Sequence, residues 1–313
     1  HMRLGTSLTE ATFDEASGHW TLRTDRGDTL RAPFFVCSTG PLNQVRWPDI
    51  PGLDTFQGPR LHSARWDATV PLAGGTALLA TEAGLGAAVV DLQDTGLDTL
   101  VWADDGRVLR LGAMTRLTAL DSFLAPLADL QGAAALLCQA IRRAGPNTYR
   151  NAATVGGIVA SRLPDSELLT ALLALDATVN LRLPAAETIS LAAWLADDDR
   201  MPGLITELDV YWPQGRGLAE RVARTPADDP IVSVTMWQPA DAAPRLAATG
   251  LGPRPMRLSA AEAALHAGVD DTAIEAAALA ARAASSHPGD FRGDAAYRAE
   301  MAAVLTRRVL RSG

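Results

Sequence analysis

Ala73-Gly74-Gly75-Thr76-Ala77-Leu78 and Thr154-Val155-Gly156-Gly157 are the two glycine loops that decide the fold of this 313-residue chain. Paired glycines allow the backbone to turn sharply, and they let a phosphate approach main-chain N–H groups. A helix that starts directly after such a loop adds attraction for an anion. Neither loop contains a basic residue, so a pyrophosphate held here would depend on amide donors and hydroxyl groups. The alternative is that both are plain structural turns; their occurrence as a pair favours a phosphate cradle.

Composition excludes several classes of function. The net charge of −8 argues against a nucleic-acid partner. All 28 basic residues are arginines, which removes the lysine of a Walker A loop and of a Schiff base. Cys37 and Cys138 are too few for an iron–sulfur cluster or a four-cysteine zinc site, and we expect no metal site. No apolar run approaches the roughly 20 residues that a membrane span needs, so we expect a cytoplasmic protein.

Hydrophobic periodicity and turn residues predict a β-meander at the start of the chain, followed by mixed strands and helices. The predicted strands are 8–13, 20–23, 29–32, 34–37, 89–92, 108–111, 205–212 and 231–237, and the predicted helices are 133–143, 166–177, 271–285 and 294–310. Ser259-x-x-Glu262 has the spacing of a capping box and predicts another helix that ends at Gly268. The fold class expected from this order is α+β.

Several ordered motifs carry a resemblance over residues 71–313. They are Ala73-Gly74-Gly75, Leu111-Gly112-Ala113-Met114-Thr115, Arg150-Asn151 followed by Thr154-Val155-Gly156-Gly157, Pro164-Asp165-Ser166-Glu167-Leu168, Gly252-Pro253-Arg254-Pro255, and Asp290-Phe291-Arg292-Gly293 with Tyr297-Arg298. This part of the chain resembles the FAD-binding medium subunit of molybdenum hydroxylases, the carbon monoxide dehydrogenase and xanthine dehydrogenase family. The resemblance implies an FAD-binding domain at 71–200 and a C-terminal α+β domain at 201–313.

The resemblance also implies where FAD binds. The two glycine loops are expected to hold its pyrophosphate, and Glu167 stands where the family has an Asp near the ribose. Ile158 replaces the family's usual Asn after the second loop. The cofactor-binding residues expected on this basis are Ala73, Gly74, Gly75, Thr76, Ala77, Leu78, Gly112, Thr154, Gly156, Gly157, Ser166 and Glu167; no catalytic residue is assigned.

A different resemblance covers residues 3–67. The pattern Phe56-x-Gly58-x-x-x-His62-x-x-x-Trp66-Asp67 matches the fingerprint of Baeyer–Villiger monooxygenases, and Val36-Cys37-Ser38-Thr39-Gly40 is similar to a segment of the same enzymes. Those enzymes need dinucleotide folds with G-x-G-x-x-G fingerprints on either side, and this sequence contains none. We therefore expect residues 1–70 to be a β-rich appendage that resembles a monooxygenase fragment.

The function expected from the larger resemblance is that of an FAD-binding electron-transfer subunit. It implies two partner chains, a large subunit with the molybdenum cofactor and a small subunit with [2Fe–2S] clusters, whose electrons pass to NAD or another acceptor. A flavin-free fusion or interaction protein that keeps the fold is the first alternative, supported by Ile158. A flavin monooxygenase of Baeyer–Villiger type is the second.

Overall fold

The computed structural model describes residues 6–35, 92–128, 132–182, 185–197, 203–212 and 214–312. The chain divides into two compact units, His1–Asp67 and Ala68–Gly313. The first glycine loop at 73–78, the monooxygenase fingerprint at 56–67 and nearly all of the strand predicted at 89–92 lie outside the described residues. The division into 1–70, 71–200 and 201–313 stays a prediction.

The first unit contains an antiparallel three-stranded sheet. Its strands, in sheet order, are β1 (Leu8–Asp14), β2 (His19–Thr24) and β3 (Thr29–Ala32). Phe13 lies opposite Trp20 in the β1–β2 ladder, and their rings are 5.2 Å apart. Three of the four strands predicted at 8–37 are therefore present, whereas residues 34 and 35 follow β3 without strand structure.

The second unit begins, in the described residues, with a five-stranded antiparallel sheet. Its strands are β4 (Leu100–Ala103), β5 (Val108–Gly112), β6 (Thr178–Arg182), β7 (Glu187–Ser190) and β8 (Leu204–Tyr211), in the order β4-β5-β8-β6-β7. Six helices accompany it: α1 (Leu117–Leu124), α2 (Ala133–Arg143), α3 (Asn147–Ala152), α4 (Val155–Ser161), α5 (Glu167–Ala174) and α6 (Leu191–Ala196). Leucines of β5, α1, α2 and α5 form one continuous buried core between the sheet and these helices.

A second, four-stranded antiparallel sheet follows along the chain. It contains β9 (Gly215–Val222), β10 (Val232–Pro239), β11 (Arg245–Thr249) and β12 (Met256–Arg257), in the order β12-β11-β10-β9. The remaining elements are α7 (Ser259–Ala263), α8 (Asp271–Ala283), the short hairpin β13 (Gly289–Asp290) and β14 (Gly293–Asp294), and α9 (Ala295–Ser312). Apolar residues of α8, α9 and this sheet form a second buried core.

The two sheets of this unit are joined through buried side chains. Trp237 of β10 is fully buried and belongs to the core of the first sheet. The Oγ1 atoms of Thr170 on α5 and Thr235 on β10 lie 3.0 Å apart, within hydrogen-bond distance. The α+β class expected from the sequence is confirmed. No helix in the described ranges is long and apolar enough to cross a membrane.

The predicted capping box at Ser259 is wrong. Leu258 is the N-cap residue of α7, and no side chain caps that helix. The Glu262 carboxylate instead accepts hydrogen bonds from the Leu246 amide at 2.7 Å and from the Arg257 guanidinium at 2.7 and 2.9 Å. The Glu262 carboxylate, which the capping box would direct to the start of the helix, is therefore bound by Leu246 and Arg257 of the neighbouring strands.

Candidate functional site

A cleft of about 550 Å³ opens beside the N-terminal ends of α1 and α4. Its volume lies within the range usual for small-molecule sites. Polar side chains dominate the lining. The described lining residues are Gln93, Asp94, Asp98, Met114, Thr115, Arg116, Ala119, Asn151, Ala152 and Thr154.

Two chain segments pair to form one wall of this cleft. The Val155 amide donates to the Thr115 carbonyl at 2.9 Å, and the Leu117 amide donates to the Ala153 carbonyl at 3.0 Å. These bonds flank an antiparallel bridge between Arg116 and Thr154. The end of β5 and the second glycine loop therefore hold each other in place, although about 40 residues of sequence separate them.

Gly112 and Gly156 are needed because backbones approach closely here. A Cβ added to Gly156 would lie 2.6 Å from the Cβ of Ala113, and one added to Gly112 would lie 2.2 Å from the Leu97 carbonyl oxygen. The Gly156 amide donates to the Ala113 carbonyl at 2.8 Å. At both positions glycine serves chain packing.

The backbone amides of the second loop donate hydrogen bonds to acceptors within the protein. Beyond the amides of Val155 and Gly156, the Gly157 amide donates to Thr154 Oγ1 at 3.1 Å, which makes Thr154 the N-cap of α4. Thr154 itself lines the cleft. This loop therefore contributes a threonine side chain and a firm wall, whereas the amides predicted to meet a phosphate are paired with protein acceptors.

Ser166 and Glu167 lie outside the lining of this cleft. Ser166 Oγ accepts from the Leu169 amide at 3.3 Å and caps α5. Glu167 is 6% exposed, and its carboxylate bridges Arg143 Nη1 at 3.1 Å and Arg221 Nη1 at 2.7 Å. Both residues fix the start of α5, and Glu167 links that helix to α2 and β9.

Sequence reasoning did not select Arg116, Asn151, Asp94 or Asp98 as site residues. Arg116 follows the motif Gly112–Thr115 directly and is the N-cap residue of α1, so its position next to a motif was the available signal. Asp94 and Asp98 come from a loop of 92–99 whose approach to the cleft depends on long-range folding. No local pattern in the sequence shows that approach.

The described residues include neither an activated thiol nor a metal site. Burial, followed by contact with Asp121, raises the pKa of the Cys138 thiol to about 11, so this thiol stays protonated and unreactive. No group of three or more His, Cys, Asp or Glu side chains in the described ranges is placed to hold a metal ion. The lining of the cleft presents amide, carboxylate and guanidinium groups.

Two family models match most of the second unit. Residues 61–208 match the FAD binding domain in molybdopterin dehydrogenase, and residues 233–312 match the CO dehydrogenase flavoprotein C-terminal domain. Over these two ranges the chain therefore belongs to the FAD-binding medium-subunit family of molybdenum hydroxylases. The cofactor of this family, and of this region, is FAD.

A solved structure supports the same assignment. A chain of carbon monoxide dehydrogenase from Hydrogenophaga pseudoflava, in a form that lacks the Mo-pyranopterin moiety of the molybdenum cofactor, aligns with a TM-score of 0.69. The two chains are 26% identical, and the alignment covers 77% of this chain and 87% of that one. Among the residues that line the cleft, Asn151 offers an amide group and Arg116 a guanidinium, both of which can hydrogen-bond a dinucleotide, and Asp94 and Asp98 add two carboxylates.

Monooxygenases are also among the relatives of this chain. An uncharacterized monooxygenase of Mycobacterium bovis is 39% identical over 112 residues, which is 32% of this chain and 22% of the relative. A Baeyer–Villiger monooxygenase of Streptomyces coelicolor is 46% identical over 74 residues, which is 24% of this chain and 14% of the relative. The resemblance of residues 3–67 to a monooxygenase fragment is confirmed, and the chain spans about a fifth or less of the length of these relatives.

Proposed function

We propose that this chain is the FAD-carrying electron-transfer subunit of a heteromeric oxidoreductase of the molybdenum-hydroxylase type. Electrons would arrive from the [2Fe–2S] clusters of a small partner subunit and leave to NAD or another acceptor. A large partner subunit with the molybdenum cofactor would oxidise the substrate. The observation that carries this proposal is the match of both flavoprotein domains, in order, over 61–208 and 233–312.

The chain's own residues would bind and orient the cofactor. When bound, FAD supplies the electron-transfer chemistry. We propose that the first loop, 73–78, holds the pyrophosphate with its amides, and that Gly112, Thr154, Gly156 and Gly157 form the wall facing it. Glu167, expected near the ribose, and Ser166, expected among the cofactor-binding residues, would act by fixing the first turn of α5.

Electron transfer is tested on the purified chain after incubation with FAD and removal of free flavin. We expect the bound flavin to lose its visible absorbance when a reduced [2Fe–2S] ferredoxin is added without oxygen, and to regain it with an electron acceptor. The same titration with NADH shows whether NAD is that acceptor. Bound flavin that no cluster protein reduces would contradict the electron-transfer role and leave FAD binding in place.

The monooxygenase relatives favour a second candidate function that the same preparation can test. NADPH consumption is followed with the FAD-loaded chain before and after addition of a cyclic ketone. We expect no stimulation, because the resemblance covers only 14–22% of the two monooxygenases. Ketone-dependent NADPH consumption would contradict the electron-transfer proposal and support monooxygenase activity.

A further inference from the structure

Arg116 is the single cationic side chain among the described residues that line the cleft. It is exposed, and no described carboxylate lies within ion-pair distance of its guanidinium. Most other arginines near the cores are already paired, as Arg143 and Arg221 are with Glu167. Among the described residues, no carboxylate therefore competes with a ligand for the guanidinium of Arg116.

The main chain of Arg116 is held firmly even though its side chain is exposed. The residue is bridged to Thr154, and the next amide, of Leu117, donates to the Ala153 carbonyl. Arg116 is also the N-cap of α1, an eight-residue helix without a capping side chain. The positive end of that helix dipole lies at Arg116, in the lining of the cleft, and favours an anion there.

The hydrogen bonds that the second loop's amides make within the protein increase the importance of a cation in the lining. Because the amides of Val155, Gly156 and Gly157 donate to protein acceptors, they do not offset the charge of a bound diphosphate. Asp94 and Asp98 in the lining add negative charge. Without Arg116 the described lining would carry only negative charges and would repel an anion.

We propose that Arg116 binds the pyrophosphate of FAD and determines the affinity of this chain for the dinucleotide. The inference rests on FAD binding in the proposed function. A guanidinium donates two parallel N–H groups to phosphate oxygens. The side chain of Arg116 thus has the role of phosphate donor that the sequence pattern assigned to the backbone amides of the second loop.

The test measures the dissociation constant of FAD for the full chain and its variants by quenching of flavin fluorescence. Arg116→Gln removes the charge and keeps most of the side-chain volume, and Arg116→Lys keeps the charge without the bidentate geometry. Arg107→Gln is the matched control, since Arg107 is an exposed arginine of the same unit that lies outside the cleft lining. Each measurement is repeated at rising KCl concentration.

We expect Arg116→Gln to weaken FAD binding about tenfold to a hundredfold, the effect of losing hydrogen bonds to a charged group, and to flatten the salt dependence. Arg116→Lys should lie in between, and Arg107→Gln should match the parent chain. Unchanged thermal unfolding of the apo variants would confirm that the effect is local.

Two results would overturn the inference in distinguishable ways. Equal FAD affinity and equal salt dependence for the parent and Arg116→Gln would remove Arg116 from the site while leaving the proposed function intact. Failure of the parent itself to bind FAD would overturn both together.

Discussion

Each carboxylate oxygen of Glu167 accepts from a different arginine, Arg143 on α2 and Arg221 on β9. The carboxylate is almost fully buried and Arg221 is only 11% exposed. Removing one member of a buried ion pair leaves the other charge without compensation, which costs far more than the loss of a surface pair. Glu167 is thus a structural link whose removal strains three elements at once.

We predict that Glu167→Gln lowers the free energy of unfolding by about 3 kcal/mol, because Arg221 loses its buried counter-charge. Urea denaturation measures the change. Glu207→Gln is the control: Glu207 lies 3.7 Å from Arg110 in a half-exposed pair, and its loss should cost less than about 1 kcal/mol. Equal effects of the two substitutions would show that burial of Glu167 contributes nothing.

A second residue-scale prediction concerns Gly112. Gly112→Ala should lower the free energy of unfolding by about 1–3 kcal/mol, because the new Cβ would overlap the Leu97 carbonyl and force the backbone apart. Gly252→Ala is the control, since its Cβ would meet only the ends of the Met256 and Ser286 side chains at 3.3 Å. Thermal unfolding of the two variants compares them, and an equally small loss for both would contradict the close approach at Gly112.

For the second glycine loop, the sequence predicted the turn but not the hydrogen-bond partners of its amides. Its sequence indicated a glycine turn with a hydroxyl group at Thr154, and in the structure Thr154 is the N-cap of α4, a helix that the sequence reasoning did not predict. The destination of the amides depended on Ala113 and Thr115, which lie some 40 residues earlier. Pairing over that distance leaves no mark in a local pattern, so the glycines alone suggested free donors.

Among the elements, the helices with clear stop signals were predicted best. The helix predicted at 133–143 has the same bounds in the structure as α2, and Gly145-Pro146 follows it. The helix predicted at 166–177 ends earlier, at Ala174, because Asp176 adopts a left-handed conformation with φ 61°. Hydrophobic spacing continued past that point, since Leu175 and Ala177 are buried outside the helix.

The β13–β14 hairpin supplies an element-scale prediction through Asp290. Partial burial raises the pKa of this carboxyl, but the hydrogen bonds from Arg298 and from the amides of Arg292 and Gly293 outweigh it and lower the pKa from 3.8 to about 2. A lowered folded-state pKa stabilises the fold above pH 3.8, and this stability is lost as the pH falls towards about 2.

We therefore predict that Asp290→Asn destabilises the protein at neutral pH and that the difference from the parent shrinks as the pH falls from 3.8 to about 2. Denaturant unfolding at a series of pH values measures both effects. Asp294→Asn is the control. It removes a carboxylate of the same hairpin, and this carboxylate accepts from the Tyr297 amide and has no arginine partner among the described residues. A difference between parent and Asp290→Asn that is independent of pH would contradict the ionic role of Asp290.

At the scale of the whole molecule, motif order identified the family that the domain models confirm. Motifs such as Pro164–Leu168 consist of consecutive residues, so they can be recognised from the sequence without a structure. The lining of the cleft was beyond such reasoning, because it combines the 92–99 loop, the α1 N-terminus and α3. Only the folded chain brings Asp98, Arg116 and Asn151 to one cleft.

The central claim is that the second unit binds FAD. The most direct measurement is stoichiometric uptake: the purified full chain is incubated with excess FAD, free flavin is removed, and the flavin released by denaturation is quantified against protein. We predict one FAD for each chain, with the absorbance of a bound flavin. A chain that remains colourless would contradict the account and identify a flavin-free protein that keeps the fold.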